Sequence, residues 1–380
     1  MLKFLKTVLV SGMLSVGVAY AAITPNPSAP NIAAKSYILQ DFASGRIIAE
    51  QNSQQRLPPA SITKLMTAYV VSHEIEAGNI ALTDNVLISE KAWRMVGSRS
   101  FIEVNTKVPV EVLLRGMIIQ SGNDAAVALA EHIAGSEDTF AQMMNQYAQQ
   151  LGMFNTNYQN STGLPGTEHY TTAADIAILS AAIIRDFPEH YKWYAEKEYT
   201  YNNITQHNRN KLLWRDTTVD GLKTGHTEEA GYCLAASAKR SGMRLISVVL
   251  GTRSENARAQ ETQKLFNYGF RFFQSHELYQ AQEKIVDTKV WKGMQKAVNL
   301  GLENKLTVTI PRGRYKDLVA ETTLQQPVIA PITAGAVLGS VEVSLDGEVV
   351  TTQSLIALND VEQGSWWTRL IDTILMMIWG

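Results

Sequence analysis

The sequence predicts an α+β fold in which an antiparallel sheet with helices is followed by a small all-β domain and a C-terminal amphipathic helix. Three observations predict it. Strand-like runs bracket a mostly helical middle within residues 36–277, alternating apolar and polar residues take over from about residue 278, and apolar side chains cover about half a helical wheel from Ser365 to Gly380. The implied division is 1–21 as a signal peptide, 22–35 as a linker, 36–277 as the domain carrying the candidate catalytic residues, 278–361 as the all-β domain and 362–380 as the amphipathic helix.

At the start of the chain, Lys3 and Lys6 precede an apolar stretch from Val8 to Tyr20 that ends among small residues. This is the pattern of a signal peptide cleaved after Ala21 or Ala22, and it implies export. The run, interrupted by Ser and Gly, is too short to span about 30 Å of hydrocarbon comfortably. From Ile23 to Ala34 the chain is rich in Pro, Asn and Ala, as a flexible lead would be. Ser36–Asp41 and Arg46–Glu50 then bracket Ala43-Ser44-Gly45, which predicts a hairpin.

After Pro58-Pro59, apolar residues including Leu65, Met66, Tyr69 and Val70 recur at helical intervals, so Ser61 is expected to open a buried helix. Further helical patterns run from Val110 to Ile119, Asp124 to Ile133 and Thr139 to Leu151. Strands return near Lys223. The runs Gly231–Ala238 and Arg244–Leu250 read as adjacent antiparallel strands, and Glu255–Phe273 as a helix. Leu306–Ile310 and Val341–Leu345 alternate with period two, and Asp346-Gly347 before Glu348-Val349-Val350 is a strong hairpin signal.

The last segment carries Trp366, Trp367, Leu370, Ile371, Ile374, Leu375, Met377 and Ile378 on one side, with Thr368, Arg369, Asp372 and Thr373 on the other. Its helix would reach about 24 Å, short of a bilayer core, so it is expected to lie along a membrane surface. The alternative is a helix packed on the β domain.

Composition excludes some classes. With 380 residues, 45% hydrophobic and 18% charged, the chain suits packed globular domains. A net charge of −2 and the lack of a basic run with interleaved aromatics argue against a nucleic-acid partner. Cys233 is the single cysteine, so no intramolecular disulfide can form, and its strand-like setting predicts a buried, inert thiol.

The chemistry lies in three boxes: Ser61-Ile62-Thr63-Lys64, Ser121-Gly122-Asn123 and Lys223-Thr224-Gly225. On a helix, positions three apart share a face, so Ser61 and Lys64 can meet as nucleophile and base, although an ordinary helix pair would look the same. A lysine of ordinary pKa is a poor base at neutral pH; burial and a nearby cation would lower it, and Lys223 is the expected cation. Ser121 could relay a proton and Asn123 could hydrogen-bond a substrate backbone, the other reading of their box being a helix cap. Lys223, Thr224 and Gly225 offer a cation, a hydroxyl and an unobstructed backbone for gripping a carboxylate beside an extended peptide; a plain surface strand is the alternative. His73-Glu74-Ile75-Glu76-Ala77 lacks the second histidine of a zinc-hydrolase box, so no metal or other cofactor is expected.

Together the boxes resemble those of penicillin-binding proteins and serine β-lactamases. The runs Pro59–Thr67, Ser121–Ala125, Gly163-Leu164-Pro165-Gly166, Asp220–Thr227 and Gly269-Phe270-Arg271-Phe272-Phe273 are similar to those of the low-molecular-mass D-alanyl-D-alanine carboxypeptidases. The resemblance extends over nearly the whole mature chain, including the β domain and the amphipathic tail.

The resemblance implies a penicillin-binding/β-lactamase-like catalytic domain in which Ser61, activated by Lys64, attacks the penultimate D-alanine of a peptidoglycan stem pentapeptide. It implies an oxyanion hole from the backbone N–H groups of Ser61 and His226. It also implies a carboxylate site from Thr224, Lys223 and Arg258, with Arg253 as competitor. Arg209 would order a loop at the cleft edge, a place that a surface arginine would fill equally. β-Lactams would acylate Ser61, and the tail would attach the protein to the outer, periplasmic face of the inner membrane.

Rival activities are a D,D-endopeptidase and a weakly active cell-shape or cell-wall binding factor. A β-lactamase would need a loop glutamate, and neither Glu168 nor Glu189 has a matching sequence context. A bifunctional synthase would carry a large module upstream of the serine, where only a short leader is seen.

Overall fold

The strands expected around Ala43-Ser44-Gly45 pair as β1 (Ser36–Asp41) and β2 (Ile47–Gln51). In the computed structural model, which describes residues 28–379, they meet three strands from far along the chain: β3 (Val219–Thr227), β4 (Gly231–Arg240) and β5 (Met243–Thr252). The sheet is antiparallel throughout, with order β2-β1-β5-β4-β3. The predicted signal peptide lies outside the described residues.

Period-two alternation gives the sheet two apolar faces. Ile38, Cys233, Ala235, Ile246 and Val248 join the larger core beneath the helices α1 (Lys64–Glu76), α2 (Val110–Ile119), α3 (Asn123–Ala134), α4 (Glu137–Gln150) and α5 (Ala173–Asp186). Leu39, Leu234, Ala236, Leu245 and Val249 face the other way, against Leu265 and Phe266 of α6 (Glu255–Phe272). Residues 64–72 of α1 are all buried, so this helix runs through the core rather than over it. Ser61 does not open α1, as the sequence had suggested. Ala60–Thr63 form a 3-10 turn that leads into the helix at Lys64.

α6 passes directly into β6 (Phe273–Tyr279), and the division expected between residues 277 and 278 falls inside this strand. β6 pairs with β9 (Leu306–Pro311). The other strands of the β domain are β7 (Val286–Trp291), β8 (Ala297–Gly301), β10 (Leu318–Leu324), β11 (Val328–Ile329), β12 (Val337–Leu345) and β13 (Glu348–Ala357), ordered β10-β12-β13-β8-β7-β11. The Asp346-Gly347 hairpin is present, with φ of 55° and 81° at its two turn residues, as the twist of paired strands favours. Arg312 ties the domains together by donating to the carbonyls of Phe270 at 2.7 Å and Phe273 at 3.3 Å at the end of α6.

The chain ends in α7 (Trp366–Trp379). Its polar side meets the β domain, where the Lys292 N–H donates to Asp372 and Arg369 donates to Gln363 at 3.2 Å. Trp366, Trp367, Leu370, Ile371, Ile374, Leu375, Met377 and Ile378 are exposed, so the apolar side does not pack on the β domain. Among the described residues, no helix is long and apolar enough to cross a membrane.

Candidate active site

Ser61 sits on the 3-10 turn directly after Ala60, whose φ of 46° is unusual for a residue with a side chain. Lys64 Nζ lies 3.0 Å from Ser61 Oγ, so the expected pair is formed. Lys64 is 1% exposed, and its amine also donates to Asn123 Oδ1 at 2.7 Å and the Thr162 carbonyl at 2.6 Å. Both of these partners can only accept. A neutral Lys64 therefore spends its two N–H bonds on them and leaves its lone pair facing the Ser61 hydroxyl.

Burial is the main reason that the Lys64 pKa falls from 10.5 to about 7; Asp124 and Glu137 pull it up, and Arg209 pushes it down. Burial outweighs any charge; Arg209 is a cation that lowers Lys64, and Lys223, the expected cation, is close enough for the Lys64 charge to act on it. Lys223 is itself 2% exposed, and its own pKa is lowered well below the ordinary value by burial, then by Lys64, Arg209 and Arg258.

The second box lies between α2 and α3. Ser121 has φ of 72°, and its buried Oγ has no hydrogen-bond partner among the described residues. Asn123 is held at both ends of its amide, accepting from Lys64 and donating to the Val96 carbonyl at 2.6 Å. It therefore positions the base, a role the sequence reading did not give it. The buried Asp124 fixes the loop around this pair by accepting from the backbone N–H of Ser100 at 2.7 Å and of Ala125 at 2.9 Å.

The third box runs along β3 beside the serine turn. A Cβ on Gly225 would lie 3.0 Å from the Pro59 carbonyl and 3.1 Å from Ile62, so glycine lets the strand approach the turn. Thr224, Gly225 and His226 line a cleft of about 380 Å³ together with Ser61, Ser121 and Asn123. Lys223 does not line it; its amine donates to the Thr224 carbonyl at 3.3 Å. His226 stacks on Tyr232 with ring centroids 3.9 Å apart.

Arg258 and Arg209 complete the cleft wall. Arg258 is buried and donates to the Gly225 carbonyl at 3.2 Å, whereas Arg253 is exposed and lies outside the cleft. Arg209 donates to the Gln120 carbonyl at 3.2 Å, which places it at the cleft edge beside the second box. Sequence reasoning missed Thr162, Tyr232 and Glu255. Thr162 acts through its backbone, and the other two carry no motif.

Glu168 is exposed and outside the cleft, and Glu189 is exposed in an ion pair with Lys192 at 2.6 Å. Cys233 is buried, and burial pushes its thiol up to about 11.

Residues 23–254 match the D-alanyl-D-alanine carboxypeptidase family of serine peptidases. The chain belongs to that family. A second domain follows: residues 273–363 match the C-terminal domain of penicillin-binding protein 5. The chain is 44% identical to the D-alanyl-D-alanine carboxypeptidase DacC of Escherichia coli K12 over 356 residues, 92% of this chain and 89% of that protein. Penicillin-binding protein 5 of Haemophilus influenzae superposes with a TM-score of 0.86 at 44% identity, covering 89% of this chain and all of that one. Penicillin-binding protein D2 of Listeria monocytogenes, solved in an ampicillin-bound form, superposes with a TM-score of 0.59 at 30% identity over 63% of this chain and 100% of that one.

Proposed function

We propose that Ser61 is the nucleophile and Lys64 the general base of a D,D-carboxypeptidase that removes the terminal D-alanine from peptidoglycan stem pentapeptides. The observation that carries this reading is the buried Lys64 amine, 3.0 Å from Ser61 Oγ with its other hydrogen-bonding directions committed to acceptors.

Neutral Lys64 takes the Ser61 proton as Oγ attacks the carbonyl of the penultimate D-alanine. The backbone N–H groups of Ser61 and His226 stabilise the oxyanion, the contribution that is usually largest in acyl transfer. The unpartnered Ser121 hydroxyl passes the proton from Lys64 to the departing D-alanine amine, and water then hydrolyses the acyl-enzyme. Thr224 and Arg258 receive the terminal carboxylate at the cleft wall, beside the buried Lys223. A β-lactam occupies the same place and acylates Ser61. With Glu168 and Glu189 both away from the cleft, its hydrolysis is slow.

Export by the signal peptide and the exposed apolar side of α7 support a location on the periplasmic face of the inner membrane, attached peripherally. Peptidoglycan is the substrate within reach there.

Mass spectrometry of the intact protein after penicillin tests the assignment. A single penicilloyl adduct on Ser61, with D-alanine release from a pentapeptide, is expected. An adduct on another serine, or none, refutes it.

A further inference from the structure

The cleft contains a carboxylate that the proposed reaction does not use. Among its described lining residues the acidic one is Glu255, at the first turn of α6 and three residues before Arg258. Ser254 caps this helix by accepting from the Ala257 N–H at 3.1 Å, which fixes where both side chains leave the backbone.

Glu255 Oε1 lies 3.3 Å from Arg258 Nη2, and its other oxygen, Oε2, lies 2.8 Å from Lys211 Nζ. The other hydrogen bonds of Arg258 go to backbone carbonyls, Gly225 at 3.2 Å and Arg209 at 3.5 Å, and its guanidinium lies over the Tyr232 ring, 5.7 Å from the centroid. A carboxylate of the protein itself therefore holds the anion-binding edge of the arginine assigned above to the substrate carboxylate. Burial favours the protonated acid, but the Lys211 hydrogen bond and the charges of Arg258, Lys211 and Arg209 more than offset it, so the Glu255 carboxyl lies below its ordinary pKa. It is an anion at neutral pH. Arg258 is 6% exposed at its side chain while Glu255 is 42% and Lys211 45% exposed, so the arginine is fixed and the acid can move.

We propose that Glu255 is a built-in competitor for the substrate's terminal carboxylate: it holds Arg258 in the empty enzyme and withdraws onto Lys211 when substrate arrives. This rests on Arg258 being the carboxylate site. The contact that Glu255 gives up is set against each substrate's binding, so it selects for ligands whose free carboxylate engages Arg258 well enough to displace it.

Glu255→Gln keeps the shape and removes the charge. It is expected to lower KM for a D-alanyl-D-alanine peptide about fivefold, equivalent to about 1 kcal/mol at about 1.4 per tenfold, with kcat unchanged. Acylation by benzylpenicillin should accelerate by a similar factor, while acylation by its methyl ester should not change. Lys211→Met should raise KM in the native background and have a smaller effect beside Glu255→Gln, because the retreat is then unnecessary. Thermal unfolding of each variant checks the fold.

Unchanged KM in Glu255→Gln, or equal acceleration with acid and ester, overturns the inference. Arg258→Gln separates this from failure of the underlying assignment. If Arg258→Gln raises KM while Glu255→Gln is silent, only the competitor role is lost; if Arg258→Gln leaves KM unchanged, the carboxylate site itself is misplaced.

Discussion

Lys64 predicts an acid limb in the pH dependence of acylation. With a folded-state pKa of about 7, the neutral fraction falls from about nine tenths at pH 8 to about one tenth at pH 6, and kcat/KM should fall about tenfold with it. Activity is lost as pH falls because the proton blocks the lone pair that faces Ser61. His169 cannot produce this limb, since burial, helped by the Lys64 charge, lowers it to about 4 and it is neutral throughout. His226, the imidazole that lines the cleft, is tested by His226→Asn, which should keep the limb. Arg209→Gln removes a cation that lowers Lys64 and should move the limb to higher pH. Stability carries the same signature with a defined sign. The folded value lies below the ordinary 10.5, so the unfolded chain binds this proton more readily between about 7 and 10.5, and stability from this group rises with pH through that window. At or below pH 7 the buried base costs about 5 kcal/mol, at about 1.36 kcal/mol per pH unit. Stopped-flow acylation by a fluorescent penicillin, with thermal unfolding at each pH, measures both. A flat acylation profile from pH 6 to 8 in folded protein, or a limb near 10, refutes the assignment of Lys64 as a base tuned by burial.

Two further outcomes follow from packing and exposure. Gly163 has φ of 86°, and a Cβ there would lie 1.8 Å from the Ala60 carbonyl; Gly163→Ala should therefore destabilise by about 3 kcal/mol or more and slow acylation, read by thermal unfolding and penicillin labelling. Deleting residues 365–380 removes the exposed apolar side of α7 and should abolish sedimentation with membranes while leaving soluble activity; unchanged sedimentation would refute the membrane role.

The fold was legible where an element's burial pattern shows in its residues. β4 and β5, buried on both faces, stood out as short apolar runs, the β12–β13 hairpin through alternation and its turn residues, and α2, α3, α4 and α6 through helical spacing. α5 did not: Ala173–Asp186 is apolar on most sides because it lies in the core, so its hydrophobic pattern has little contrast, and its clearest signal is local, the Thr172 side chain capping the Asp175 N–H at 3.0 Å. The strand order was hidden because β1 pairs with β5, whose residues lie some two hundred positions later, and no local pattern encodes such a partner.

At the site, residue identity was legible and role was less so. Side-chain chemistry named Ser61, Lys64, Ser121, Asn123, Lys223 and Thr224, because each box has a recognisable composition, and the family resemblance added Arg258. What assigns work among them is backbone geometry and burial. Positive φ at Ala60 and Ser121 turns two hydroxyl-bearing segments toward one cleft, and glycine at 163 and 225 allows two backbones to close on the Ser61 turn. Those approaches bury Lys64, and of the two causes that the sequence reading named for its lowered pKa, burial is the larger. The same enclosure explains Asn123. Once the amine is surrounded by protein, its N–H groups must find acceptors, and the Asn123 amide is one that also fixes the direction of the lone pair. A lysine beside a serine on a solvent-exposed helix would satisfy the same motif, but it would keep its proton, its amine would be satisfied by water, and it would activate nothing.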